Sequence, residues 1–254
     1  AGSGDSLTLN DVEDALLRGD EGVNFFDVFG WNGSLNLDGG GGFDGYYLQV
    51  APGNHTTLAD SGGGDGAQDF LVIVGTELDE ALVVNADDLN VGDSSVDYSG
   101  IETLILASDA GDDYLRVNDS SADTLQLIGQ DGNDVYDVDL TTLGDHVDVV
   151  VSDLADSTVD TLLTPAGSDS PGKPIGGSDA EFEIRLSERR VRFDTSIEFF
   201  SGAPQNTSPA LTIADDQFAD EGTLELFDLG SFAHSDHNGP WLVTVDWGDG
   251  TPIQ

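Results

Sequence analysis

The chain has 254 residues and a formal net charge of −43, with seven Lys or Arg against 50 Asp or Glu. Nucleic acid and anionic membrane surfaces are both held by basic clusters, so both partner classes are excluded and a cation is the natural complement. Cysteine is absent, which removes disulfides and thiolate metal sites, and no apolar run reaches the roughly 18 residues of a membrane span.

Asp outnumbers Glu by roughly three to one. A solvated acidic helix face would favour Glu, the better helix former, whereas Asp with Gly belongs in turns. Halophilic adaptation, in which acid is spread over the surface for solubility, is the competing explanation of the charge.

The start, AGSGDS, carries no Met and no signal peptide, and reads as processed or trimmed. Asp11 to Arg18 is the one helix candidate. Asn10 is its N-cap with Glu13 reaching back, Val12, Ala15 and Leu16 form the apolar stripe, and Gly19 is the stop. Residues 1–30 are thus expected to cap the open end of whatever follows.

From residue 31 to 202 short alternating apolar pairs recur: Leu35/Leu37, Leu82/Val84, Leu104/Leu106, Leu125/Leu127 and Val147/Val149, with Leu58 between the first two. The last four begin about 22 residues apart. A Gly/Asp turn and a second short apolar stretch follow most of them, as at Leu48/Val50, Phe70–Val74, Leu115/Val117 and Tyr136/Val138. Strand, glycine-rich turn, strand and loop at a constant period predict one coil of a parallel β-solenoid, with Leu37, Val72, Leu106, Leu127 and Val149 inward. No proline stands between Pro52 and Pro165 to break ladder pairing.

Pro165 to Asp179 reads as a loop. Phe182–Leu186 and Val191–Phe193 read as a β-hairpin around Ser187-Glu188. It carries Arg185, Arg189, Arg190 and Arg192, either as edge protection or as counter-charge for the acidic coils. Residues 203–254 form a linker and a last module in which Leu211/Ile213, Leu224/Leu226 and Trp241 to Trp247 read as strands.

The chemistry lies in the turns. Gly39 to Tyr47 reads GGGGFDGYY, which fits a nonapeptide of glycines, one Asp and one large apolar residue. GGDGAQDFL from Gly63, SDAGDDYLR from Ser108 and GQDGNDVYD from Gly129 approximate it. Calcium takes six to eight hard oxygens, glycines turn carbonyls inward, and the Asp adds charge at the turn's exit. Coils stack about 4.8 Å apart, so neighbouring turns can share an ion.

With these motifs, residues 35–138 resemble the haemolysin-type calcium-binding (RTX) repeat family. The resemblance implies a right-handed parallel β-roll or β-helix, calcium in the turns, secretion, and folding outside the cell. It maps Asp44, Asp69, Asp113 and Asp134 onto side-chain ligands, and Gly40, Gly42, Gly64, Gly66, Gly111 and Gly132 onto carbonyl donors. Asp65, Asp109, Asp112, Asp131 and Asn133 are further polar groups of the same turns. That family repeats every nine residues with two calcium turns per coil. Here one motif occurs per coil of about 22, so a single, incompletely filled ion row is expected, with Asp113 and Asp134 on one edge as its best pair.

The phrase Val245-Asp246-Trp247-Gly248-Asp249-Gly250-Thr251, with Glu221-Gly222 before it, makes residues 208–254 resemble the start of a PKD domain, an immunoglobulin-like module. A full sandwich needs roughly 80–100 residues, so this reads as the first half of one, and the chain as a fragment.

The expectation is an all-β, calcium-binding structural or adhesive element of a large secreted or cell-surface protein, and not an enzyme. Its expected partners are calcium, further copies of itself, or surface polymers. The alternative is a polysaccharide lyase or glycoside hydrolase of the parallel β-helix type. A lyase needs a cation beside a base. His55 and His146 are the repeat region's only histidines, and Arg116 is the one cation between its motifs. His234 and His237 fall in the last module. An RTX toxin would need a pore-forming segment, and none is present.

Overall fold

The computed structural model describes residues 13–49, 53–62, 68–153, 159–168, 182–194 and 196–197, together with the backbone of 199–201, 210–212 and 231–233. All regular structure among these residues is β. In chain order the strands are β1 (Asp14–Arg18), β2 (Phe25–Val28), β3 (Ser34–Asp38), β4 (Gly45–Gln49), β5 (His55–Ala59), β6 (Phe70–Thr76), β7 (Ala81–Val84), β8 (Asp88–Val91) and β9 (Ser94–Ser99). Then come β10 (Thr103–Asp109), β11 (Tyr114–Val117), β12 (Thr124–Ile128), β13 (Val135–Val138), β14 (Asp148–Ser152), β15 (Thr161–Leu163), β16 (Phe182–Leu186), β17 (Arg189–Phe193) and β18 (Phe199–Ser201).

They make two mostly parallel sheets. The long one runs β1-β3-β5-β9-β8-β7-β11-β13-β15-β18 and the short one β2-β4-β6-β10-β12-β14-β17-β16. The chain passes from one sheet to the other and back, so each circuit lays one strand beside its predecessor in each sheet. Leu104 lies between Leu71 and Leu125 in the short sheet, and Leu115 between Leu82 and Tyr136 in the long one. Alternation explains the burial: in β6, β10 and β12 every second residue faces inward, giving Leu71, Ile73, Leu104, Leu106, Leu125 and Leu127, all fully buried. Each contributes about 1.5–3 kcal/mol relative to exposure. Like residues stacked on like make one continuous apolar column.

The long sheet is interrupted once. Between β6 and β10 the chain turns back twice, so that β8 is antiparallel to both β7 and β9, while β9 joins β5 and β7 joins β11 in parallel. In the short sheet β6 and β10 are direct neighbours. This meander corrects the period expected above. Leu82 and Leu104 are 22 residues apart but belong to different sheets, so that step is not one circuit. The true circuits are those from β10 to β12 and from β12 to β14.

Two further expectations fail. Asp11 to Arg18 is not a helix over its described part: residues 14–18 are β1, in parallel register with β3. Ala15 is buried and Leu16 is 60% exposed, an alternation of period two, and the ladder offered by β3 overrides a weak local capping signal. Val72 is only half-buried because its neighbours Leu71 and Ile73 take the inward positions; Leu37, Leu106, Leu127 and Val149 are inward as expected.

The hairpin is present as β16 and β17, antiparallel, with Ser187 in the left-handed region at φ 62°. Its arginines serve as local counter-charge. Arg190 and Arg192 both reach Asp148 of the neighbouring β14, at 3.1 and 2.5 Å, and Arg189 reaches Asp145 at 3.0 Å.

Residues 204–254 are a separate unit, within which β19 (Ala210–Thr212) and β20 (Ser231–Ala233) pair antiparallel. The Val245–Thr251 phrase, Glu221-Gly222, His234 and His237 lie outside the described residues, as do Asn10, Asp11 and Val12.

Candidate metal centres

The acids that matter stand immediately before strands. Asp44, Asp69 and Glu102 precede β4, β6 and β10, at the edge where the chain leaves the long sheet for the short one. Glu80, Asp113, Asp134 and Asp160 precede β7, β11, β13 and β15 at the return edge. A backbone N–H at such a corner falls outside the ladder and needs an acceptor. The acid of the next circuit supplies it. Asn24 N donates to Asp44 Oδ1 (2.7 Å), Asp44 N to Asp69 Oδ1 (2.7 Å) and Asp69 N to Glu102 Oε2 (2.8 Å). At the other edge Glu80 N donates to Asp113 Oδ1 (2.8 Å), Asp113 N to Asp134 Oδ1 (2.8 Å) and Asp134 N to Asp160 Oδ1 (2.9 Å).

This arrangement uses one carboxylate oxygen and strands the other. Among the described residues, Oδ2 of Asp44, Asp69, Asp113 and Asp134 is buried with no hydrogen-bond partner. An ionised oxygen without a partner away from water is expensive, and such groups are normally paired or bound to a metal.

Among the described residues, carboxylates converge at two corners. Asp44, Asp60 and Asp69 bring ligand atoms within 4.8 Å of one another, and so do Asp134, Asp153 and Asp160. At that distance each pair of charges repels by about 3 kcal/mol at an effective dielectric near 20. The two groups are built alike. Gly39 N donates to the Tyr46 hydroxyl (2.6 Å), which donates to Asp60 Oδ2 (2.7 Å); Gly129 N donates to the Tyr136 hydroxyl (2.8 Å), which donates to Asp153 Oδ2 (2.6 Å). Each begins at a glycine needed for space. A Cβ on Gly39 would stand 2.4 Å from Asp44 Oδ2, and one on Gly129 would stand 2.0 Å from Asp134 Oδ2.

Electrostatics follow from that crowding. Burial, then the charges of Asp153, Asp113 and Asp160, push Asp134 up to about 7. Burial, with Asp60, Glu102 and Asp44, pushes Asp69 up to about 6. Asp60 is raised by burial, an effect that its bond from Tyr46 partly offsets. Burial and the adjacent carboxylates also raise Tyr46 and Tyr136, so both phenols stay neutral donors. Oxygen-only donors from three carboxylates fit a hard cation, and either group could hold a metal.

Of the residues singled out in the sequence, Asp44, Asp69 and Asp134 are in these groups. Asp113 is in the same hydrogen-bonded row as Asp134 but in neither group. Asp112 and Asn133 form an exposed outer pair, in which Asp112 Oδ1 accepts Asn133 N (2.9 Å) and Nδ2 (3.0 Å); these bonds lower the Asp112 carboxyl. Gly40, Gly42, Gly111 and Gly132 all have positive φ and shape the turns, and Asp109 shares that conformation at φ 77°. The Asp131 carbonyl accepts Gly111 N (2.9 Å). Gly64, Asp65 and Gly66 lie outside the described residues. The motif turns also occupy both edges, Asp44 on one and Asp134 on the other, rather than a single row.

Sequence reasoning missed Asp60, Asp153 and Asp160. Asp160 had a legible signal, an acid directly before an apolar strand. Asp60 and Asp153 directly follow strands and come from the next circuit, which only pairing reveals. No protein-family model matches the chain, and no curated protein matches it.

Proposed function

We propose that this chain is a calcium-binding structural or adhesive element of a secreted or cell-surface protein, built as a right-handed parallel β-solenoid whose corners are closed by ions. The observation that carries the reading is the pair of three-carboxylate groups, in which the second oxygens of Asp44, Asp69 and Asp134 are buried without a hydrogen-bond partner. Calcium accepts six to eight oxygens in flexible geometry, which suits carboxylates, carbonyls and water at a turn; magnesium demands a tighter octahedron. Dissociation constants of about 10⁻⁴ to 10⁻³ M suit an extracellular module in abundant calcium. The resemblance of 208–254 to a PKD module favours the same setting. No described helix is long and apolar enough to cross a membrane.

Burial favours a structural role over the lyase or glycosidase alternative. Asp44, Asp69, Asp134 and Asp160 are at most 1% exposed, so a polymer chain cannot reach their oxygens. Catalytic carboxylates must flank a bound sugar.

The test is thermal unfolding in calcium and in chelator at moderate salt. Each site contributes about 2.7 kcal/mol at a hundredfold excess over its dissociation constant, so two sites raise Tm by about 10 °C or more. An equal Tm in both conditions removes the calcium reading and leaves halophilic solvation as the explanation of the charge.

A further inference from the structure

We propose that a tyrosine–aspartate pair decides which corners bind a cation, that Tyr46 and Tyr136 are its positioning residues, and that the described region therefore takes two ions, one at each edge. The inference rests on the cation-binding reading above and adds which residues select the sites and how many there are.

The argument is a comparison among equivalent corners of one molecule. A corner begins at the residue that leaves a strand; five positions later stands the group that accepts from the previous circuit, and two positions after that an inward side chain. Gly39, Asp44 and Tyr46 make one such corner, and Gly129, Asp134 and Tyr136 another. Ser108, Asp113 and Leu115 repeat both the spacing and the bond, whereas Gly75, Glu80 and Leu82 repeat the spacing alone, with the Glu80 carboxylate accepting from Thr76 N of its own turn.

Register fixes what lies above each first position in the next circuit. Leu37 pairs with Leu58 and Ile128 with Ser152, which brings Asp60 over Gly39 and Asp153 over Gly129. Ala107 pairs with Ile128, and Val74 with Ala107, which brings Gly129 over Ser108 and Ser108 over Gly75. Tyrosine thus occurs at the two corners with an aspartate above. Leucine occurs at the two with glycine or serine above.

The chemistry accounts for that pairing. An aspartate above the corner is the third carboxylate of the group, and its orientation is set by the phenol. The Tyr136 hydroxyl holds Asp153 Oδ2 at 2.6 Å while Gln130 N holds Asp153 Oδ1 at 2.7 Å. The Tyr46 hydroxyl and Gly62 N hold Asp60 in the same way, at 2.7 and 2.9 Å. The tyrosine oxygen is itself pinned by the N–H of the corner's first residue, Gly39 or Gly129. With leucine in its place there is neither a third acid to hold nor a hydroxyl to hold it. At the Asp113 corner a serine hydroxyl stands beside the carboxylate, and no three-acid cluster includes Asp113 among the described residues. Preorganising a ligand in this way strengthens binding by removing the cost of ordering it on each ion's arrival.

The experiment is calorimetric titration of the whole chain with calcium chloride, comparing wild type with Tyr46→Phe, Tyr136→Phe and the double variant. Two sites are expected in wild type. Each single variant should retain one site unchanged and bind the other at least tenfold more weakly, and the double variant should lose both. Asp60→Asn and Asp153→Asn, which leave the phenol in place, should remove the same sites one at a time. Tm in chelator separates selection from simple destabilisation: the phenylalanine variants should lose the calcium-dependent increment at one site while the hydroxyl-independent core keeps the calcium-free protein folded. If both tyrosine variants bind calcium like wild type, the selecting role is overturned and the calcium reading stands. If wild type binds no calcium, both fall.

Discussion

The Ser108–Asp113 corner and the Gly129–Asp134 corner are one circuit apart on the same edge and take the same turn. Asp109 and Gln130 are left-handed at equivalent positions, with φ 77° and 76°, and Gly111 and Gly132 follow at φ 133° and 149°. Both aspartates accept one backbone N–H and bury the other oxygen. They differ in what answers the buried charge. Asp113 has the Ser108 hydroxyl beside it, which partly offsets the upward shift that burial causes. Asp134 has two more carboxylates and is raised further, to about 7. A like backbone thus carries one corner with a single buried carboxylate and one with three, and the two differ in the side chains at their first and eighth positions.

Glycine at the first position is the sharpest way to break that contrast. Gly129→Ala puts a Cβ 2.0 Å from Asp134 Oδ2 and 2.4 Å from the Tyr136 hydroxyl. The neighbouring corner already accommodates the Cβ of Ser108, opposite a leucine. The substitution should abolish calcium binding at the Asp134 site and cost about 1–3 kcal/mol of overpacking. Titration and thermal unfolding read both effects. Retention of two full-affinity sites would show that the Gly129 corner can relax as its neighbour does.

The second comparison uses protons. The carboxyls of Asp69 and Asp134 are raised to about 6 and about 7, and those of Asp60 and Asp113 are also raised, so between pH 4 and 7 these four groups hold more protons in the native chain than in the unfolded one. In chelator, stability should therefore rise as pH falls from about 7, and the gain should be complete near pH 4, the ordinary carboxylate value. In calcium the sign reverses, because protons compete with the ion for the same oxygens. Melting curves at pH 7.5, 6.5 and 5.5 should approach one another. Parallel slopes with and without calcium would mean that the raised carboxyls and the ion sites are different groups.

Much of this architecture is legible in the sequence. Alternation marks β10, β12 and β14, β6 reads as an apolar stretch in the wrong phase, and the turn phrases point to Asp44, Asp69, Asp113 and Asp134. What stayed hidden was relational. The β7–β9 meander preserves the apparent 22-residue spacing while moving the chain to the other sheet, so the period looked unbroken where the topology changed. Asp60 and Asp153 fall outside the turn phrases and become ligand candidates only when register stacks them over Gly39 and Gly129. The tyrosines looked like ordinary core residues, because their alternation is right for the core. Their hydroxyls acquire meaning only from the acid one circuit away.

The smallest expected effect lies at the Asp113 corner. The Ser108 hydroxyl is fully buried and donates to the Gly129 carbonyl at 3.1 Å while lying against Asp113. Ser108→Ala removes that donor and leaves a buried carbonyl and a buried carboxylate with less relief. Losing one such bond costs about 1 kcal/mol, which for a domain of this size lowers Tm by about 2–4 °C. The same drop should appear in calcium and in chelator, because Asp113 belongs to neither three-carboxylate group. The Asp134 site has its own tyrosine and its own third acid, so its affinity should not move. A fall confined to the calcium-loaded protein would instead make Ser108 and Asp113 part of the ion site through the shared Gly129 carbonyl. The two corners would then be one extended centre.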